Sequence, residues 1–232
     1  MSIPSAAERD EFKRAAAARA VEEVEPGMIL GLGSGTTAAF AVEFLARRVA
    51  QGLRIQAIPT SEKIAALARR LGISLTGFEG HRRVDLTIDG ADEVERRTLH
   101  LIKGLGGALL REKIVAAASE RMIVIVDESK LVDRLGTRVP LPVEIVPFGW
   151  QTVLDRLAEA GAVPSLRREG GVPVSTDGGN YIADCAFAGI GDPAALERRL
   201  ALLVGVVESG LFVALASEVV VGSSSGVSVM AP

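Results

Sequence analysis

The sequence is poor in the residues that build disulfide frameworks and zinc sites. Among 232 residues it has one cysteine, Cys185, and two histidines, His81 and His100. A single cysteine cannot form an internal disulfide, and the histidines lack metal-ligand spacing, which argues against a disulfide-stapled secreted domain and against a zinc site. No run approaches the roughly 18 uninterrupted apolar residues of a membrane span, and no secretory signal is recognisable. These absences predict a soluble protein in the cytoplasm.

An excess of one charge sign is also missing. The 26 basic and 29 acidic residues leave a formal net charge of −3, so nothing electrostatic favours nucleic acid or an anionic membrane as a partner. Aromatic residues are 4% of a chain that is 48% hydrophobic, which predicts a core of Ala, Val, Leu and Ile. The 25 glycines are abundant and clustered, which indicates tight turns or backbone close to a ligand.

Short apolar runs alternate with helical patterns through the first half of the chain. Buried strands are predicted at 28–33, 53–58, 84–88 and 122–127, with a short one at 99–102. Helices are predicted at 6–24, 38–51, 61–71 and 108–121. This alternation predicts an α/β fold with a parallel sheet covered by helices on both faces.

The pattern changes after Asp127, where prolines become frequent. The order strand, helix, strand, strand, helix, strand then predicts a split βαβ (ferredoxin-like) unit, with helices at 150–160 and 193–203. We therefore expect one domain of residues 1–133 and 207–232, and an inserted α+β subdomain of residues 134–206. Segments 211–215 and 218–221 are predicted to rejoin the first sheet.

Two glycine-rich loops, GLGSGTT (31–37) and KGLGGA (103–108), each lead into a predicted helix. Helix N-termini present free N–H groups that attract anions. The first loop lacks the third glycine of a dinucleotide fingerprint and the lysine of a nucleoside-triphosphate loop. It therefore predicts a site for a monophosphate-sized anion, with a plain capped turn as the alternative.

Two further loops, DGADE (89–93) and DESK (127–130), place charge at the ends of predicted strands. The clustered carboxylates suit a ligand site, a solvated turn or a Mg²⁺ site. Lys103 could stabilise an oxyanion and Glu112 could move a proton. These groups, without a metal or cofactor motif, predict proton abstraction next to a carbonyl in a small phosphorylated substrate. The dispersed arginine pairs, which are 69–70, 82–83, 96–97, 167–168 and 198–199, are interpreted as solvated surface.

Several segments resemble the type A ribose-5-phosphate isomerases. They are GLGSGTTAAF (31–40), PTSEKIAALA (59–68), DLTIDGADEV (85–94), LIKGLGGALLREKIVA (101–116), VDESK (126–130) and PLPVEIVPFGW (140–150). The resemblance is collinear from about Lys13 to 211–222. It implies interconversion of ribose 5-phosphate and ribulose 5-phosphate through an enediol(ate), in the non-oxidative pentose phosphate pathway. It also implies a Rossmann-like sheet with a smaller α+β lid, no cofactor, and a homodimer or homotetramer.

The same resemblance implies roles residue by residue. Glu112 corresponds to the general base between C2 and C1, Asp89 with Asp92 to the carboxylates at ring opening, and Lys103 to the group stabilising the enediolate oxygen. Contacts to the substrate or its phosphate are implied for Lys13, Ser34, Gly35, Thr36, Thr37, Gly90, Ala91, Gly104, Leu105, Gly106 and Lys130. The family has four glycines after the lysine, and Leu105 replaces the second. If that position requires a positive φ, leucine would be strained by about 1–2 kcal/mol.

Two other function classes remain open at this point. A sugar-phosphate-sensing module, as in the effector domains of certain transcriptional regulators, would keep the anion-binding loop but would not need Glu112 together with Lys103. The chain lacks a helix-turn-helix and a basic face. A CoA-handling transferase on a related sheet would use a glutamate as covalent nucleophile.

Overall fold

The structure is a computed structural model that describes residues 4–232. Its helices are α1 (Ala6–Val21), α2 (Thr36–Ala50), α3 (Glu62–Arg70), α4 (Leu109–Ala117), α5 (Trp150–Glu159) and α6 (Pro193–Ala201). Its strands are β1 (Ile29–Leu32), β2 (Gln56–Pro59), β3 (Val84–Gly90), β4 (Glu93–Glu95), β5 (Leu101–Ile102), β6 (Ser119–Asp127), β7 (Leu131–Val132), β8 (Leu141–Ile145), β9 (Val163–Leu166), β10 (Arg168–Glu169), β11 (Val172–Pro173), β12 (Tyr181–Ala186), β13 (Val206–Ser209), β14 (Leu211–Phe212), β15 (Glu218–Ser223) and β16 (Gly226–Met230). Among residues 4–232, none of the helices combines the length and the hydrophobicity that a membrane span requires.

The chain divides into two compact units. The first contains the residues up to Ala91 together with Arg111–Leu131 and Leu215–Pro232, and the second contains Asp92–Leu110 and Val132–Ala214. The second unit thus takes in residues 92–110, 132–133 and 207–214 in addition to the insertion predicted at 134–206. The pairing of β5 with β4 and β14 explains this, because it ties that segment to residues 211–212.

The first unit is built on a six-stranded sheet in the order β2-β1-β3-β6-β15-β16. All neighbours are parallel except the hairpin of β15 and β16. Alternate residues of β1 point to opposite faces. Leu30 packs in a cluster with α1, α2 and α3, whereas Ile29 packs with Val115 of α4. The predicted parallel sheet with helices on both faces is confirmed.

The order of the strands determines where this sheet can bind a ligand. β2 and β3 lie on opposite sides of β1, so the connection reverses direction between β1 and β3. In open α/β sheets, ligands bind beyond the carboxyl ends of the strands at such a reversal. The loops that follow β1 and β3 are therefore the first places to look for a site.

The second unit contains an antiparallel sheet in the order β13-β8-β12-β9. α5 connects β8 to β9 and α6 connects β12 to β13, which is the predicted split βαβ arrangement. A smaller sheet has the order β14-β5-β4-β7. The hydrophobic core between these elements includes Leu141, Val143, Leu157 and Leu211, each fully buried.

Two sequence predictions were wrong at the level of elements. Segment 211–215 does not rejoin the parallel sheet, because Leu211 and Phe212 pair with β5; only β15 rejoins it, beside β6. The helix predicted at 108–121 ends at Ala117, and β6 begins at Ser119. Ser119 pairs with Val84, and its hydroxyl oxygen lies 2.7 Å from Thr87 Oγ1. Pairing with β3 therefore extends the strand into residues that have a helical pattern.

Candidate functional site

The loop after β1 lies against the end of β3, at the reversal in strand order. Ser34 N donates to Asp89 Oδ1 at 3.2 Å, and Gly90 N donates to the same oxygen at 2.7 Å. A Cβ on Gly33 would lie 2.0 Å from that oxygen, so only glycine permits this approach. Asp89 is 0% exposed. Backbone amides therefore hold a buried carboxylate in a fixed position.

A cluster of hydroxyl groups adjoins the same loop. Ser34 Oγ lies 2.8 Å from both Thr60 Oγ1 and Ser61 Oγ. Thr60 is fully buried and donates to Leu32 O at 2.9 Å, and Ser61 caps α3 by accepting from Ile64 N. Thr60 lies in the segment PTSEKIAALA (59–68), but the resemblance implies no role for it at the site. It fixes Ser34 by contacts that only the folded chain brings together.

The N-terminus of α2 supplies groups that suit an anion. Gly35 has a φ of +94° at the N-cap, where no side chain caps the helix, and no acidic residue lies in the first turn. Thr36 is exposed and Thr37 is half-buried. Thr37 is also next to Gly90, because a Cβ added to Gly90 would lie 3.7 Å from the Thr37 Cβ. The positive end of the helix dipole and these hydroxyls can bind a negatively charged group.

Glu112 lies in the first turn of α4, also in the first unit, and is only 4% exposed. Its neighbour Arg111 instead extends to the surface, where NH1 lies 2.9 Å from Glu62 Oε1. Glu112 is buried although Arg111, the residue before it, faces solvent. Glu112 is therefore not simply a surface charge that interacts with the helix dipole. Ala91, the last residue of the first of the three segments that form the first unit, is half-buried.

The two predicted phosphate lysines occupy different settings. Lys130 is half-buried in a 3₁₀ turn that follows β6, a neighbour of β3 in the sheet, so the turn shares an edge with Asp89. Asp127 caps that turn by accepting from Ser129 N at 3.0 Å. Lys13, on α1, pairs with Asp10 at 3.0 Å. A phosphate would have to compete with Asp10 for Lys13.

Lys103 opens the glycine loop of the second unit and is 2% exposed. Its backbone N donates to Gly210 O at 2.9 Å. Its Nζ lies 5.4 Å from the ring centroid of Phe212, within range of a cation–π interaction. A buried ammonium is costly unless its surroundings or its function compensate for the loss of water.

The backbone of the glycine loop resolves the question raised by Leu105. Gly104 and Gly107 have φ values of +106° and +82°. Leu105 does not have a positive φ, since among the described non-glycine residues only Leu99 and Ala214 do. The strain considered for Leu105 therefore does not arise, and its side chain is 39% exposed. Gly106 likewise lacks a positive φ, and a Cβ there would contact nothing within 4 Å.

The acidic cluster separates into carboxylates with different partners. Asp92 Oδ2 accepts from Leu105 N at 3.0 Å and so holds the glycine loop. Glu93, 1% exposed, accepts from the backbone N of Gly136, Arg138 and Val139 at 2.6, 2.7 and 3.0 Å. No group of three or more His, Cys, Asp or Glu side chains among residues 4–232 could hold a metal ion, so the Mg²⁺ alternative receives no support.

One arginine that was interpreted as solvated surface is not. Arg167 Nε donates to Asp184 Oδ2 at 2.8 Å, and its NH2 donates to Asp184 Oδ1. Its NH1 donates to the carbonyls of Gly104 and Leu105 at 3.1 and 3.0 Å. The prediction was wrong for Arg167 because the dipeptide pattern contains no information about a carboxylate on another strand. Its neighbour Arg168 is exposed.

Comparison with known proteins places this geometry in a family. Residues 56–226 match the family model described as ribose 5-phosphate isomerase A (phosphoriboisomerase A). The chain is 57% identical over 223 residues to ribose-5-phosphate isomerase A of Gloeobacter violaceus, which covers 96% of this chain and 97% of that one. It is 52% identical over 216 residues to the protein of the same name from Thermomicrobium roseum, covering 93% and 91%.

Solved structures give the same result. Ribose 5-phosphate isomerase A from Methanocaldococcus jannaschii superimposes with a TM-score of 0.93 at 40% identity, covering 97% of this chain and 100% of that one. A D-ribose-5-phosphate isomerase in complex with phospho-erythronic acid has a TM-score of 0.93 at 37% identity, covering 96% and 99%. The family model and these relatives together show that the chain belongs to the ribose 5-phosphate isomerase A family.

Proposed function

We propose that the chain acts as an aldose–ketose isomerase that interconverts ribose 5-phosphate and ribulose 5-phosphate in the non-oxidative pentose phosphate pathway. One observation supports it most directly. The three motif positions that matter for the reaction hold buried ionisable residues, since Asp89, Lys103 and Glu112 are 0%, 2% and 4% exposed. Burying such groups is costly, and proteins accept that cost mainly at functional sites.

Proton transfer is assigned to Glu112. Its carboxylate removes the C2 proton of the open-chain aldose, the electron pair forms the C1–C2 double bond, and negative charge moves to the C1 oxygen. The proton then returns to C1, while the C2 hydroxyl proton passes to the C1 oxygen to give the ketose. Lys103 stabilises the charge on the enediolate oxygen, which is electrostatic stabilisation by a fixed cation.

Ring opening is assigned to Asp89, with Asp92. The Asp89 carboxylate takes the proton of the C1 hydroxyl as the bond between C1 and the ring oxygen breaks, and it passes that proton to the ring oxygen, which becomes a hydroxyl group. Asp89 suits this task because its Oδ1 is held by Ser34 N and Gly90 N. Asp92 contributes by holding Leu105 N.

Substrate and phosphate binding is assigned to two sets of groups. The first is the α2 N-terminus with Ser34, Gly35, Thr36 and Thr37, whose amides and hydroxyls suit a phosphate. The second set comprises Gly90, Ala91, Gly104, Leu105, Gly106, Lys13 and Lys130. The lysines act as point charges on the phosphate.

Turnover by the purified protein tests this assignment. The wild-type protein is expected to convert ribose 5-phosphate to the ketose without added metal or nucleotide. Glu112→Gln is expected to lose about 10²–10⁴-fold in kcat, the usual contribution of a general base. Glu120→Gln, at an exposed position on the amino-terminal part of β6, is the matched control. Near-normal turnover by Glu112→Gln would contradict the assignment.

Two further observations separate this function from its alternatives. Solvent deuterium incorporated into the ketose at C1 is expected for proton transfer through Glu112 and is not expected for a hydride shift. A wild-type protein that binds ribose 5-phosphate without turnover would instead indicate the sensor.

The oligomeric state, a homodimer or homotetramer, and the cytoplasmic location stay predictions. Light scattering coupled to size-exclusion chromatography tests the first, and cell fractionation tests the second.

A further inference from the structure

The glycine loop after Lys103 is held by a charged pair from the antiparallel sheet of the second unit. Arg167 lies between β9 and β10, and Asp184 lies on β12. The guanidinium donates to both carboxylate oxygens of Asp184 and, through NH1, to the carbonyls of Gly104 and Leu105. One arginine thus connects a rigid sheet to two consecutive carbonyls of a glycine-rich loop.

The sheet, and not the loop, determines where this guanidinium sits. Arg167 N donates to Ile182 O at 2.8 Å, and Arg167 O accepts from Val174 N at 3.0 Å. Asp184 pairs with Ser165 in the β9–β12 ladder. The two side chains are 16% and 24% exposed. A bidentate arginine–carboxylate pair is planar and directional, so NH1 has a defined position before the loop docks on it.

Asp92 holds the same loop from the amide side. Its Oδ2 accepts from Leu105 N at 3.0 Å, while Leu105 O accepts from Arg167. The backbone N–H and C=O groups of Leu105 are therefore both hydrogen-bonded to charged side chains. The loop needs such restraint because Gly104, Gly106 and Gly107 give its backbone more freedom than any other residue type would.

We propose that Arg167, oriented by Asp184, is a positioning residue for the isomerisation. It fixes the backbone of residues 104–107 and, through the adjoining peptide, the position of the Lys103 ammonium. It touches no reacting atom. The inference rests on the proposed function, since it assumes that Lys103 stabilises the enediolate. A displacement of about 1 Å in such a group can cost about 10²-fold in rate.

The principal test removes the pair without leaving an unpaired buried charge. Arg167→Gln/Asp184→Asn is expected to lower kcat about 10- to 100-fold and to raise KM by a smaller factor, because the main defect lies in placing a charge at the transition state. Arg167→Lys keeps the charge but not the planar fork, and it is expected to restore part of the lost kcat.

Arg199 offers a matched control in the same unit. Its guanidinium also donates to two backbone carbonyls, those of Glu159 and Ala160 at 2.9 and 3.3 Å, but these belong to the end of α5 and the residue after it. Arg199→Gln is expected to lower the melting temperature and to leave kcat within about twofold. Kinetics are measured well below both melting temperatures.

Two readouts distinguish positioning from stability. Hydrogen exchange of residues 103–107 is expected to increase in Arg167→Gln/Asp184→Asn and not in Arg199→Gln. In a Lys103→Met background, the double substitution is expected to change kcat less than about threefold, because no ammonium remains to be displaced. Unchanged kcat in the double variant, or a loss equal to that of Arg199→Gln, would overturn the inference alone. A wild-type protein without turnover would instead overturn the proposed function.

Discussion

Among substitutions that add one methyl group to the loop after β1, Gly33→Ala should disturb the proposed active site most. The added Cβ would lie 2.0 Å from Asp89 Oδ1, 2.1 Å from its Cγ and 2.5 Å from its Cα. A side-chain rotation could move the first two atoms, but the Cα belongs to the backbone of β3. To reach an ordinary contact of 3.4 Å, the loop and the strand must separate by about 1 Å.

That separation has two measurable consequences. Overpacking of this kind costs about 1–3 kcal/mol, which corresponds to a melting temperature about 2–12 °C lower for a chain of this size. It also lengthens the bond from Ser34 N to Asp89 Oδ1, now 3.2 Å. Displacing a reacting group by about 1 Å should lower kcat about 10²-fold.

The control for this prediction is Gly191→Ala. Gly191 lacks a positive φ, and a Cβ there would contact nothing within 4 Å. The same chemical change should therefore leave turnover unaltered and slightly raise stability by restricting the unfolded chain. Thermal unfolding followed by circular dichroism and a ribulose 5-phosphate assay measure both quantities. Wild-type melting temperature and turnover in Gly33→Ala would refute the reasoning from close approach.

Three other predictions concern positions outside the reacting groups. Leu105→Gly should not raise stability, because Leu105 does not have a positive φ; a gain of 1–2 kcal/mol in chemical denaturation would contradict this. Glu93→Gln should lower the free energy of unfolding by about 2–4 kcal/mol, since bonds to three backbone amides lose their charge; urea titration measures it. Burial raises the pKa of Cys185 to about 12, so its thiol stays protonated at pH 8. A thiol reagent should therefore label Cys185 only after guanidinium unfolding, and prompt labelling of the native protein would contradict this.

The sequence predicts the parallel strands of the first sheet because they are short apolar runs, whereas it did not predict β16. Burial on both faces makes a parallel strand continuous in hydrophobicity, as in residues 122–127. The same property gave no guidance for Leu211 and Phe212. They are as apolar and as buried as a central strand, yet they belong to another sheet, because apolarity does not encode the identity of the neighbouring strand.

Similar limits apply to charged residues at the candidate site. Asp89 and Glu93 are both nearly fully buried and both accept backbone amides, but the sequence presents them as members of one acidic cluster. Their separate tasks depend on which loop reaches each of them. Arg167 directly follows β9 and Asp184 lies on β12, and only the ladder between these two strands brings them together. No local pattern could have identified either residue.

The glycine loop after Lys103 shows which parts of a family motif are constrained physically. Gly104 has a positive φ, and a Cβ there would also lie 2.7 Å from Leu109 Cδ2; Gly107 has a positive φ as well. Both positions therefore require glycine. Position 105 has an ordinary φ and an outward side chain, while its amide and carbonyl make the contacts to Asp92 and Arg167. Because those contacts use backbone atoms only, a leucine can replace glycine there without altering how the loop is held.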